Sequence, residues 1–92
     1  MSKRSPGLHG ALFALRAIRL ALHVSAVRAD DRRAVEVYLL VTCCGVNQAL
    51  AAEACSCTKQ NVSKLVRAVE ERRDDPAFDK ILAAFEAAMV GD

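Results

Sequence analysis

Apolar side chains along this chain recur at helical spacing in block after block, and polar signals break the blocks where helices would start and stop. The clearest block is residues 58–72, where Val62, Leu65, Val66 and Val69 fall at i, i+3, i+4 and i+7. That spacing makes one apolar stripe on an amphipathic helix. Lys59, Gln60, Asn61, Ser63, Lys64 and Arg67 take the opposite face. Thr58 stands where an N-cap hydroxyl would accept a free backbone N–H of the first turn. A shorter helix is expected over residues 47–55, with Ala52 thin enough for the second helix to cross it. Ser56 falls at the reversal between them, a place glycine usually takes. The pair reads as a helix-turn-helix at about residues 47–72.

Three other blocks complete the pattern. Leu8, Leu12, Leu15, Ile18 and Leu22 predict a helix over residues 8–24. Residues 32–44 carry Val35, Tyr38, Leu39, Thr42 and Cys43 on one face, widened by Val37, Leu40, Val41 and Cys44, which predicts a central helix buried on most sides. Asp30 and Asp31 are its expected cap, and Gly45 its left-handed C′ residue. Asp75-Pro76 is an N-cap followed by proline at N1, ahead of Phe78, Ile81, Leu82, Phe85 and Met89 at helical spacing. That last stripe has two readings: closing the core, or meeting a second copy or another protein. Residues 1–7, ending in Pro6-Gly7, read as a disordered basic lead, which leaves residues 8–92 as one domain.

Size and composition narrow the class. At 92 residues the chain holds one core. With no Trp, three Phe and one Tyr, a core of Ala, Val and Leu suits packed helices. The expected fold is all-α, with about five helices. Net charge is only +2, but residues 1–69 hold ten Lys or Arg against four Asp or Glu, a balance of +6, and residues 70–92 hold three against seven, a balance of −4. The basic part contains the helix-turn-helix, as a phosphate-facing surface requires. Arg16 and Arg19 interrupt the first apolar run and argue against a secretory signal. No run reaches the roughly 18 apolar residues of a membrane span, so a cytoplasmic protein is expected.

Candidate chemistry changes this picture little. Cys43, Cys44, Cys55 and Cys57 could in principle hold a metal or sense thiol redox state, but their spacing departs from the usual paired-ligand pattern, and free Cys packs as a small hydrophobe. His9 and His23 lack motif-spaced partners, and no phosphate loop or nucleophile elbow is present. An enzyme is not expected, nor is a cofactor. Two amphipathic helices around a tight turn also occur in bundles that never touch nucleic acid. Spacing, cap and basic outer face together favour duplex DNA. In that reading Gln60 and Asn61 pair with adenine, and Lys59 or Lys64 with guanine or phosphate. Ser63 and Arg67 touch the backbone, Gln48 bonds a phosphate from the preceding helix, and Arg28, Arg32 and Arg33 either extend the basic surface or are simply the solvated start of their helix.

Residues 45–69, through Gln48, Ala52, Thr58, Val62, Ser63, Val66 and Val69, resemble the helix-turn-helix of the plasmid repressor KorA (TrfB), and more loosely that of the PapB-type regulators. The match runs without a gap over about a quarter of the chain. A second resemblance is to the carboxy-terminal domain of the replication initiator DnaA. It joins residues 33–39 to that domain's entering helix, and residues 62–71 with Asp75-Pro76 to its recognition helix and exit. Thr58-Lys59-Gln60-Asn61 departs from the Asp-His-Thr-Thr of that family. The resemblances imply a Trp-repressor- or DnaA-like helical fold and a small bacterial or plasmid transcriptional regulator, most simply a repressor, binding DNA as a homodimer. A protein-interaction module and a thiol or metal sensor are the alternative classes.

Overall fold

The computed structural model describes residues 7–90; of the lead expected at residues 1–7, all but Gly7 lies outside them. Five helices follow in order: α1 (Leu8–His23), α2 (Ala29–Thr42), α3 (Gln48–Ala54), α4 (Lys59–Arg72) and α5 (Pro76–Val90). The described residues contain no strand. The protein is all-α.

Helix α2 is the axis of the core. Six consecutive residues from Val35 to Leu40 are buried, because α1 and α4 both pack against it and α3 meets one side. Helix α1 contributes Ala11, Leu15, Ile18 and Leu22 to that core. Leu8 is exposed and Leu12 only half-buried, since the five-residue stripe read from the sequence drifts around the helix and only its later members face α2.

Two helix boundaries differ from expectation. Helix α2 begins at Ala29, and its N-cap Arg28 makes no side-chain cap bond. Asp30 and Asp31 therefore lie inside the first turn, where their charge favours the positive helix end without capping it. At the other end Cys43 is the C-cap, and the left-handed residue Gly45, at φ +69°, comes one position later than C′. The delay lets the Val46 N–H donate to the Leu40 carbonyl at 3.3 Å and drops Val46 into the core.

Helix α5 starts as its sequence signals require. The Asp75 carboxylate accepts from the Ala77 N–H at 3.1 Å. Phe78 and Leu82 enter the core, and Ile81 and Phe85 pack against it. Of the stripe read from the sequence only Met89 is exposed, so closing the core consumes most of the surface that could have met a partner.

Arg73, the C-cap of α4, fastens α5 to the body. Its guanidinium forks onto Glu86, with Nη1 to Oε2 at 2.6 Å and Nη2 to Oε1 at 3.1 Å. It also donates to Asp79 at 2.5 Å and to the Tyr38 hydroxyl at 3.1 Å. The Glu86 hydrogen bonds raise the Arg73 pKa further, ahead of the opposing effect of burial. Bidentate guanidinium–carboxylate pairs hold geometry as well as energy.

Candidate nucleic-acid interface

The helix-turn-helix is built from local chemistry at each joint. Asn47 caps α3, its side chain accepting from the Leu50 N–H at 2.8 Å. After α3 the Cys57 N–H returns to the Ala52 carbonyl at 2.9 Å, and the reversal is completed by Ser56 in the left-handed region at φ +56°. Among the described residues Ser56 is the one non-glycine with positive φ, at the position the sequence marked for the turn. Thr58 then caps α4, its Oγ1 accepting from the Asn61 N–H at 3.0 Å. Ala51 and Ala52 are buried where the helices cross, and Val62 and Val69 seat α4 on the core, with Leu65 and Val66 packed beside them.

This seating decides which α4 side chains reach solvent. Lys59, Gln60, Ser63, Lys64 and Arg67 are exposed, and Asn61 is half-buried. Among the described residues none of Lys59, Lys64 and Arg67 takes part in an ion pair, whereas Arg19, Arg72 and Arg73 are bound to Glu36, Asp31 and both Asp79 and Glu86. The unneutralised cations of the motif therefore stand on the outer side of α4. Acidic side chains enter that helix only at its far end, as Glu70 and Glu71. The depression along this surface, lined by Gln60, Ser63, Lys64, Arg67, Ala68 and Glu71, belongs to a single helix and encloses no small-molecule site.

Three expected contact residues already have work within the fold. The Thr58 hydroxyl is engaged by the cap. Ser63 donates to the Gln48 side-chain oxygen Oε1 at 2.8 Å, joining α3 to α4 while leaving the Gln48 side-chain N–H groups free to donate. Arg33, expected to extend the basic surface, instead turns its Nη2 to the Cys55 carbonyl at 2.8 Å and braces the turn from α2. No sequence signal marks that brace, because the two residues are joined only by the tertiary fold. Arg28 is exposed, and Arg32 is half-buried.

The cysteines behave as core residues. Cys55 is buried, and Cys43, Cys44 and Cys57 pack against the core. Burial raises the Cys44 thiol pKa, with neighbouring Cys43 adding to it. Burial likewise raises that of Cys55, opposed in part by Arg33. Such thiols stay protonated near neutral pH and are poor ligands and nucleophiles. Among the described residues no three His, Cys, Asp or Glu side chains come together as a metal site. Among the described residues no helix is long and apolar enough to cross a membrane.

No protein-family model, curated protein or solved structure matches this chain.

Proposed function

We propose that this protein binds duplex DNA sequence-specifically as a cytoplasmic transcriptional regulator, most simply a repressor that occupies promoter DNA, with α4 in the major groove. The observation that carries the reading is the outer face of α4. It presents three unpaired cations and two amide side chains on a rigid helix whose other side is locked into the core. A groove-entering helix needs that division of labour: cations to meet phosphates and amides to read base edges. The resemblance of residues 45–69 to KorA-type motifs supports the same reading.

Within it, Gln60 reads adenine most directly. Asn61, partly sheltered by the first turn, reads from the edge of the interface. Lys59 and Lys64 meet guanine or phosphate, and Arg67 and the Gln48 amide meet the backbone. Ser63 acts chiefly by holding Gln48.

The test is binding of a fluorescent random duplex across a salt series, followed by selection from a random duplex pool. Three phosphate contacts per copy give a log–log salt slope of about −2.7, from roughly −0.9 per contact. Salt-independent binding, or a pool that yields no enriched sequence, refutes the proposal. The competing protein-docking reading through Phe78, Ile81, Leu82, Phe85 and Met89 is disfavoured by the burial of that stripe. The sensor reading is disfavoured by the packing of the four cysteines in and against the core.

A further inference from the structure

Helix α1 and its C-cap Val24 carry a second apolar stripe, on the side away from the core. Phe13, Leu20 and Val24 are 76%, 74% and 84% exposed, and with exposed Ala17 they fall at i, i+4, i+7 and i+11. That is the spacing of one helix face. Large apolar side chains scattered singly on a surface need no explanation, but three aligned on one helix face form a patch. With side chains of this size the patch amounts to on the order of 400 Å². Small residues, Gly10, Ala14 and Ala21, border it on one side, while Arg16, His9 and His23 border the other. Arg19, on that same border, is already held by Glu36 at 3.2 Å.

We infer that this face is a homodimer interface, in which α1 packs antiparallel against α1 of a second copy about a two-fold axis passing between Ile18 and Arg19. The stripe is palindromic in its spacing. A two-fold axis at that point sets Phe13 against Val24 of the second copy and Ala17 against its Leu20, and the reverse pairs follow by symmetry. A two-fold interface requires such self-complementarity, with residue i meeting j and j meeting i. Each pair also joins a larger side chain to a smaller one, and the alanines let the helix axes approach. The same axis sets each border against the same border of the second copy, so the small-residue borders of Gly10, Ala14 and Ala21 meet, and Arg16 of each copy stands at the opposite, solvent-facing edge. Two such patches bury roughly 800 Å², and the bordering alanines and the Arg16 stem bring the total near the roughly 1,000 Å² that a specific interface needs.

The inference extends the DNA-binding reading, because two copies would present two α4 helices to two half-sites, but its observations are independent of DNA. Residues Phe13 and Val24 lie outside the proposed DNA surface, so both can be changed without touching it.

The experiment is sedimentation equilibrium of the full chain, 9.9 kDa per copy, up to about 100 µM. Wild type is expected at twice the chain mass. Phe13→Lys and Val24→Glu, each buried against apolar atoms in the dimer, are each expected to weaken association at least 100-fold, with thermal midpoints close to wild type. An equimolar mixture of the two is expected to recover the dimer mass, because Lys at 13 then faces Glu at 24 across the axis while the native Phe13–Val24 contact forms at the other end. If either chain loses helical signal, Leu20→Glu replaces it in the monomer test. A monomeric wild type overturns the interface, whether or not it binds DNA and including the case where it sediments with phosphatidylglycerol vesicles. Variants that remain dimeric overturn it too, and a mixture that stays monomeric overturns the antiparallel pairing. A dimer that ignores DNA leaves the interface standing and removes the regulatory reading.

Discussion

Ser56 offers a direct check on the turn that orients α4. Its φ of +56° places a side-chain-bearing residue in the left-handed region, at a cost of about 1 kcal/mol for an L-residue. The side chain is exposed and makes no hydrogen bond among the described residues, so substitution acts almost wholly through the backbone. Ser56→Gly removes the strain but gives the unfolded chain more freedom, which returns about 0.5 kcal/mol. The net expectation is a gain of about 0.5 kcal/mol. Ser56→Val moves the other way by about 1–2 kcal/mol, because a β-branched residue tolerates positive φ worst. The spread between the two variants is then about 2 kcal/mol, which for a domain of this size corresponds to a difference in Tm on the order of 10 °C. Thermal unfolding followed by circular dichroism at 222 nm measures it. The order Gly, Ser, Val from most to least stable is the expected result. Variants that melt together, or a glycine variant that melts below wild type, would refute the strained turn and with it the placement of α4.

Other expectations follow from single contacts. Arg73→Met should destabilise the domain by about 2 kcal/mol, since it strips the fork from Glu86 and leaves Asp79 and the Tyr38 hydroxyl without their donor; urea unfolding measures this, and an unchanged midpoint would remove Arg73 as the fastener of α5. Arg67→Ala should lower affinity for all duplexes and reduce the salt slope by about one, whereas Gln60→Ala and Asn61→Ala should each cost about 1–3 kcal/mol on the selected site and relax one base pair; equal losses on selected and random DNA would dismiss base reading by the amide in question. Because burial raises the Cys44 and Cys55 thiols above their ordinary value of 9.0, the folded state holds those protons more tightly than the unfolded chain. Stability should therefore be flat below pH 9 and fall above it, through the raised thiol pKa values. At pH 8 a thiol-blocking reagent should label these two cysteines more slowly than it labels glutathione, and labelling at the glutathione rate would contradict their burial.

Features with local causes were legible in the sequence. The Thr58 cap, the Asp75-Pro76 start and the Val62 to Val69 stripe depend on neighbours within one or two turns, and all three appear in the structure as read. The outward set on α4 follows from that stripe by helical geometry alone. Asp30 and Asp31 misled because an acidic pair suits both an N-cap and a first turn, and only the path of the chain from α1 decides between them. Contacts across the fold had no sequence signal. Arg33 reaching the Cys55 carbonyl, Ser63 holding Gln48 and Arg73 gathering Tyr38 and Glu86 join residues 13–35 places apart in the chain, brought together only because the helices are packed. The outer stripe of α1 is not legible in the sequence because Ala and Leu recur all round that helix, which blurs which face turns inward.

The first turns of α2 reach α4 from two directions. Arg33 grips the carbonyl of the turn ahead of it, and Asp31 holds Arg72 in its last turn at 2.5 Å. Steadied near both ends by one neighbour, the rod has little freedom to pivot on its way into the proposed DNA complex. Docking would then spend little entropy on aligning the reading head, and sequence discrimination would reside in side-chain rotamers. Substitutions at the base of α2, far from any nucleotide, would show up as a tilt shared by every contact at once.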